Sequence, residues 1–181
     1  TETFAALRVD IDNWRWASVP FFLRTGKRRP ERRTQIVIQF KPVPHSIFKD
    51  AAKDDLVANR LVIDLQPDED IELLLMNKAP GLNDRGMRLQ SLPLSLSLAR
   101  SYAGKDARRR IAYEPLMLEV INGVTTLFVR RDEVEQAWQW IDGVADAWAE
   151  AGMNPKPYGA GTWGPAGAFA LIERFGRVWY E

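Results

Sequence analysis

The sequence predicts an α+β fold: a large, mainly antiparallel β-sheet with helices packed on one face, a two-layer arrangement. In roughly the first 100 positions, apolar residues alternate with polar ones, which is typical of half-buried strands. In the last third, apolar residues recur three or four apart, which is typical of helices. Because strands and helices follow one another in blocks, a parallel βαβ sheet is not expected.

Strands are predicted at about 1–100 and 124–130. The clearest period-two runs are residues 7–11, 36–40, 61–65 and 92–98, and a further strand is expected near 71–76. Pro80-Gly81 marks a turn after that strand. Pro93 lies within the last run, so we expect an edge strand or a bulge there.

Helices are predicted at about 112–122, 132–151 and 165–175. Pro115 must then lie in the first turn of the first helix, and Pro165 and Gly176 bound the third. Asp132 is the predicted N-cap of the long middle helix, with Glu135 completing a capping box. The residues that share one face of this helix are Val134, Trp138, Ile141, Ala145 and Trp148. We interpret that face as packing on the sheet rather than as a partner-binding surface.

The bulk composition limits the classes of function. At 181 residues, with 46% hydrophobic and 27% charged residues, the chain fits one domain spanning 1–181. It has no cysteine, which excludes disulfides and thiolate chemistry and fits a cytoplasmic location, and it has no long apolar run for a membrane. His45 is the single histidine, so a Ser-His-Asp triad or a histidine metal site is not expected. Because the chain begins Thr-Glu-Thr, we expect a piece of a longer protein.

A cluster of cations is the strongest local signal. Residues 24–33 hold six basic side chains against one acid, Glu31, in a chain of net charge +1. A local excess of charge on a neutral background predicts an anion site rather than a nucleic-acid-coating surface. Lys27 is the best candidate, because the preceding Gly26 lets the backbone approach a ligand closely. From charge alone, a solvated loop whose Arg stems cover apolar surface is the favoured alternative.

Three other patterns could indicate a binding or catalytic site, but each is explained better by a structural role. Trp14, Trp16, Phe21 and Phe22 could stack on bases, but the absence of a broadly basic field favours a core or subunit interface. Residues 159–164 spell GxGxxG, yet they do not follow a strand inside a βαβ unit, so we predict a glycine-rich turn before a helix. His45 is read as a loop histidine rather than a general base.

Seven ordered blocks carry a family resemblance over almost the whole chain. They are IDNWRW from Ile11, VPFFLRTGKR from Val19, IVIQFKPVPHSIF from Ile36, NRLVIDLQPDE from Asn59, AYE from Ala112, TLFVRRDEVEQAW from Thr126 and YGAGTWGP from Tyr158. The chain resembles the C-terminal part of the glucose-6-phosphate dehydrogenase family. That family oxidises glucose 6-phosphate to 6-phosphogluconolactone with NADP, at the entry of the pentose phosphate pathway.

The resemblance implies specific roles. The Lys of the family's R-[TS]-G-K turn contacts the sugar phosphate, which implies Lys27, and the basic residue five positions on implies Arg32. The Gln before the Pro-Asp-Glu of the fourth block lies near the substrate in some members, which suggests Gln66. Subunits of the family pair through the large sheet, so a homodimer or tetramer is expected, with no nucleic acid, membrane or metal as partner.

The sequence also lacks parts that the family needs. The family's general-base His, paired with an Asp, and its coenzyme fingerprint both lie N-terminal to this segment. We therefore expect NADP to be bound mainly outside this chain, and the chain alone to be inactive. Pro115 replaces the basic residue usual after Tyr-Glu, which argues against the second, structural NADP of some eukaryotic members. The alternative function is a non-catalytic assembly module derived from the same domain.

Overall fold

A computed structural model of the chain describes residues 2–45, 56–79, 89–97 and 113–181. Within these ranges the strands are β1 (Phe4–Asp10), β2 (Pro20–Gly26), β3 (Thr34–Gln39), β4 (Arg60–Gln66), β5 (Asp70–Lys78) and β6 (Leu89–Ser97). The helices are α1 (Tyr113–Asn122), α2 (Arg131–Glu150) and α3 (Ala166–Glu173). All strand pairs are antiparallel, so the predicted α+β class with an antiparallel sheet is confirmed.

In the described residues the strands form two sheets rather than one. β1 pairs with β2, while the other four strands form a sheet in the order β3-β4-β5-β6. The chain leaves the first sheet at Gly26 and enters the second at Thr34. Arg28 has a left-handed backbone at φ 49°, and Pro30 has no N–H to donate, so the connection between the sheets cannot continue the ladder.

The four-stranded sheet has one uniformly aliphatic face. Ile36 lies opposite Ile63, Ile63 lies opposite Ile71, and Ile71 lies opposite Leu96. Residues directly opposite each other, and residues two apart along a strand, share a face. The full set on this face is Ile36, Ile38, Leu61, Ile63, Ile71, Leu73, Leu75, Leu92, Leu94 and Leu96. We call it the aliphatic face.

Pro93 lies in β6, which forms one edge of this sheet within the described chain. The prediction of an edge strand at this proline is confirmed, because an edge position does not require a donor on its outer side. The predicted turn at Pro80-Gly81 lies outside the described residues.

One predicted strand and one predicted helix cap need correction. Residues 124–130, predicted as a strand, form a turn and an extended segment with no strand assigned in the described chain. The N-cap of α2 is Arg130, not Asp132. The Glu133 carboxylate accepts the Arg130 backbone N–H at 3.0 Å, and the Asp132 carboxylate is engaged instead by the Arg130 guanidinium at 2.6 and 2.9 Å. Pro115 does lie in the first turn of α1, as predicted.

Helix packing on the sheets is only partly realised in this chain. The helix α3 packs against β1 and buries Ala168 and Ile172, each 4% exposed. By contrast, α1 and α2 bury no residue completely, and the predicted apolar face of α2, including Trp138, remains exposed. No described helix is both long and apolar enough to cross a bilayer.

The segment 179–181 links the two sheets. The Tyr180 carbonyl accepts hydrogen bonds from the Arg24 guanidinium of β2 at 3.1 Å and from the Gln35 amide of β3 at 3.3 Å. The Arg60 guanidinium of β4 lies 4.9 Å from the centre of the Tyr180 ring. Val62, in the middle of β4, is 1% exposed. The best-packed part of the described chain is therefore the side of the four-stranded sheet opposite the aliphatic face.

Candidate anion-binding site

The six cations of residues 24–33 divide by burial. Arg24, Arg29 and Arg33 are partly buried, whereas Lys27, Arg28 and Arg32 are exposed. Within the described chain, neither Lys27 nor Arg32 forms an ion pair. The partly buried cations can therefore contribute to packing within the chain. The exposed ones can be reached by a ligand.

Arg33 is held by a carboxylate of the neighbouring strand. Its Nε and Nη2 atoms donate to the two Asp64 oxygens at 2.9 and 3.2 Å. This two-pronged contact raises the pKa of Arg33 above its ordinary value, chiefly through the hydrogen bonds to Asp64. Arg33 is therefore a structural cation that fixes the start of β3 against β4.

Arg24 is almost enclosed, with 8% of its side chain exposed. It donates to the Glu181 carboxylate at 3.1 Å, and its guanidinium carbon lies 4.7 Å from the Trp179 ring centre and 5.0 Å from that of Trp163. The guanidinium carbon of Arg29 also lies over the Trp163 ring, 4.6 Å from the ring centre. Burial, followed by the charge of Arg24, lowers the pKa of Arg29. Both cations are stacked on aromatic rings, a packing role.

Lys27 has a hydrogen-bonded backbone and an exposed side chain. Its N–H donates to the Thr3 carbonyl at 2.8 Å, and its carbonyl accepts the Tyr158 hydroxyl at 2.8 Å. An open groove of about 210 Å³ beside it is lined by Glu2, Thr3, Phe4, Ala5, Thr25, Gly26 and Lys27. Pockets for small molecules usually enclose about 300 Å³ or more, so this groove holds at most part of a ligand.

Arg32 and Gln66 lie at one end of the four-stranded sheet. Gln66 ends β4 directly opposite Thr34, and Arg32 precedes Thr34 by two residues. Both side chains are exposed, and both can donate hydrogen bonds to oxygen atoms of a ligand. Lys27 and Arg32 thus bound one short connection, residues 27–33, and Gln66 lies beside the end of that connection.

The other sequence candidates lie apart from these cations or in structural contacts within the described chain. His45 is exposed beyond β3, and no group of three metal-ligating side chains occurs among the described residues. Trp14 is fully exposed, and Trp16 meets Phe21 edge to face at 5.2 Å. Residues 159–164 form the predicted glycine-rich turn before a helix, since α3 begins at Ala166.

Sequence reasoning missed four residues that shape this region: Asp64, Tyr158, Trp163 and Trp179. Asp64 sits in an alternating strand and gives no sign of its partner Arg33. The sequence predicts Trp163 only as part of a glycine-rich turn and gives no sign of its contacts with Arg24 and Arg29. A useful signal would have been the excess of arginine in one segment and of aromatic residues in another, because guanidinium groups stack readily on aromatic faces.

Known proteins resemble this chain over its whole length. Residues 1–180 match the family model described as glucose-6-phosphate dehydrogenase, C-terminal domain. The chain is 55% identical over 181 residues to glucose-6-phosphate 1-dehydrogenase of Zymomonas mobilis subsp. mobilis and 54% identical to that of Rhizobium meliloti. Both alignments take in 100% of this chain but only 37% and 36% of the relative. The chain thus spans little more than a third of the length of these relatives.

Two solved structures resemble the fold. One is a glucose-6-phosphate dehydrogenase in complex with its substrate glucose-6-phosphate, with a TM-score of 0.80 and 32% identity. It matches 99% of this chain and 35% of its own. The other is the glucose-6-phosphate 1-dehydrogenase of Mycobacterium avium, with a TM-score of 0.73 and 31% identity over 100% of this chain and 35% of its own.

Proposed function

The chain belongs to the glucose-6-phosphate dehydrogenase C-terminal domain family, and we propose that residues 1–181 form the sugar-phosphate-binding and subunit-pairing part of a longer glucose-6-phosphate dehydrogenase. Such an enzyme oxidises glucose 6-phosphate to 6-phosphogluconolactone. NADP, when bound, would supply the acceptor for the hydride from C1, and a base elsewhere in the polypeptide would take the proton of the C1 hydroxyl.

The observation that supports this function best is the state of Lys27. Its backbone is bonded on both sides, its ammonium group is exposed, and no carboxylate of the described chain neutralises it. An ammonium group in that position suits a phosphate dianion, because charge-assisted hydrogen bonds to phosphate oxygens are strong. In this proposal Lys27 binds the 6-phosphate of the sugar.

Arg32 and Gln66 have supporting roles in the proposal. Arg32 supplies a second cation six residues from the end of β2, at the far end of the same connection. Gln66, at the end of β4 opposite Thr34, offers an amide that can donate to or accept from sugar hydroxyls. Together the three side chains would fix the sugar so that C1 faces the hydride acceptor, which is a positioning role.

The coenzyme does not fit the described residues. The GxGxxG of residues 159–164 lies after Tyr158 and before α3, not between a strand and a helix of a βαβ unit. Its central amide, Gly161 N–H, already donates to the Arg28 carbonyl at 2.8 Å. In the proposal, NADP and the proton acceptor are therefore held by other parts of the polypeptide, and this chain contributes substrate binding alone.

The aliphatic face is the proposed subunit interface. A second copy of the chain is the occupant we favour, because a flat, uncharged face of isoleucine and leucine is complementary to itself across a two-fold axis. Face-to-face sheet packing about 10 Å apart would bury both copies at once. Leu94 and Leu96 on β6, at 66% and 52% exposure, are the side chains with most to gain.

Steady-state kinetics of the full-length protein tests the substrate site. We expect Lys27→Ala to raise KM for glucose 6-phosphate by about 10- to 100-fold, since a hydrogen bond to a charged group contributes about 1.5–3 kcal/mol. Lys41→Ala, which removes an exposed lysine beyond β3, serves as the matched control and should leave KM unchanged. Equal KM values for the two variants would contradict the proposal. A protein that assembles but does not oxidise glucose 6-phosphate would instead favour a non-catalytic assembly module.

A further inference from the structure

A distant loop holds the backbone of the Lys27 turn. The loop, residues 158–164, donates hydrogen bonds to two carbonyls of the turn across more than 130 residues of sequence, and the Tyr158 hydroxyl also lies 3.1 Å from the Thr3 carbonyl oxygen. The Tyr158 hydroxyl donates to the Lys27 carbonyl at 2.8 Å, and the Gly161 N–H donates to the Arg28 carbonyl at 2.8 Å. Two consecutive carbonyls of the cationic connection are therefore fixed by one loop.

The backbone at this point needs outside support. Arg28 has φ 49°, in the left-handed region that costs a residue with a Cβ about 1–2 kcal/mol. The ladder of the two-stranded sheet ends at Gly26, so it no longer constrains residues 28 and 29. Such a conformation persists only where surrounding contacts over-determine it. The hydrogen bonds from Tyr158 and Gly161 are the contacts that do so.

The loop is itself anchored on Phe4. The Phe4 ring lies 5.4 Å from the Tyr158 ring, centre to centre. A Cβ added at Gly26 or at Gly164 would come within 2.5 Å of the same ring, so both glycines leave a slot that only the ring fills. Thr162 closes the loop by donating to the Gly159 carbonyl at 2.7 Å. The loop thus approaches the turn as a packed unit.

We propose that Tyr158, with the loop of residues 158–164, is a positioning residue for substrate binding: its hydroxyl sets the backbone from which Lys27 and Arg28 project. This inference rests on the proposed function, because it assumes that Lys27 binds the sugar phosphate. Tyr158 acts through the Lys27 carbonyl and does not itself contact the substrate. Without its hydroxyl, the left-handed turn relaxes and the ammonium group of Lys27 is no longer held at one place.

Tyr158→Phe in the full-length protein is the direct test, because it removes one oxygen and keeps the ring on Phe4. We expect KM for glucose 6-phosphate to rise about 2- to 10-fold, as the loss of one neutral hydrogen bond permits, with kcat and the KM for the coenzyme unchanged. Trypsin should also cut faster after Lys27 or Arg28, and saturating glucose 6-phosphate should slow that cleavage. Tyr180→Phe is the matched control, since only the backbone carbonyl of Tyr180 accepts the hydrogen bonds from Arg24 and Gln35.

The outcomes separate the inference from the proposed function. If Lys27→Ala raises KM but Tyr158→Phe gives the same KM and cleavage rate as Tyr180→Phe, the positioning role is wrong and the substrate site stands. A fall in kcat at unchanged KM would also overturn the positioning role. If Lys27→Ala leaves KM unchanged, the proposed substrate site fails, and the positioning role fails with it.

Discussion

The cations of residues 24–33 lie in different environments, although each carries the same charge. Arg33 is paired with Asp64, Arg24 is enclosed between two tryptophans and Glu181, and Lys27 is exposed with no ion pair among the described residues. Charge counting predicted an anion site in this segment, and the family resemblance implied Lys27. Charge counting could not assign the other cations, because their partners lie 31 to 157 residues away in sequence. Only the folded arrangement brings those partners together.

The Arg33–Asp64 pair predicts a measurable coupling. We expect the double-mutant cycle of Arg33→Gln and Asp64→Asn to give a coupling free energy of unfolding of about 1–2 kcal/mol, because the contact is two-pronged and about three-quarters buried. The raised pKa of Arg33 means that its stabilising charge is fully present below the ordinary arginine pKa and is lost only above it. The coupling should therefore be equal at about pH 7 and about pH 10 in urea unfolding. A coupling near zero, as for exposed pairs, would contradict this.

Among the structural elements, the glycine-rich loop shows most clearly what a sequence pattern leaves open. The GxGxxG residues were correctly predicted to form a turn before a helix. The pattern did not predict that Gly164, at φ 120°, faces the Phe4 ring at the start of the chain. The strands β1, β3, β4 and β6 were predictable from their period-two patterns, which β2 and β5 lack. The helix boundaries of the described chain all lie within two residues of the predicted ones.

Two glycine-to-alanine substitutions test whether the contact of Gly164 with Phe4 matters for stability. We expect Gly164→Ala to lower the free energy of unfolding by about 2–4 kcal/mol, from the strained φ and the contact of its Cβ with Phe4. The matched control is Gly167→Ala in α3, whose Cβ would meet nothing within 4 Å. That change should raise stability by about 0.5–1 kcal/mol, because alanine favours a helix over glycine. Urea unfolding of the two variants would contradict the account if their effects had the same sign.

At the scale of the whole molecule, the chain leaves much apolar surface uncovered. The aliphatic face and the stripe of α2 through Val134, Trp138 and Ile141 are exposed, although their patterns predicted packing. The sequence identified these residues as apolar faces, but the predicted packing of the α2 stripe on the sheet is not seen in the described chain. It could not specify what covers them, since a hydrophobic pattern records the need for burial and not the partner. The expected single sheet also became two in the described residues, because no local signal marks which strands pair.

Adjacent residues of β6 test the proposed subunit interface. Leu94 lies on the aliphatic face and Ser95 on the opposite one, and both are exposed. We expect Leu94→Glu to lower the oligomeric mass of the full-length protein in light scattering, because a buried unpaired carboxylate is costly. Ser95→Glu should leave the mass unchanged. If Leu94→Glu lowers the melting temperature but not the mass, another segment of the same polypeptide covers this face, and the interface proposal is wrong.

The most direct test of the central claim is calorimetric titration of glucose 6-phosphate into the full-length protein without coenzyme, beside the same titration of Lys27→Ala. We expect saturable binding by the unaltered protein and affinity at least about 10-fold weaker in the variant, since the ammonium group is the proposed phosphate contact. Equal affinity in the two proteins would contradict it. The sugar phosphate would then be held elsewhere, and the exposed lysine of the turn would be a solvated charge.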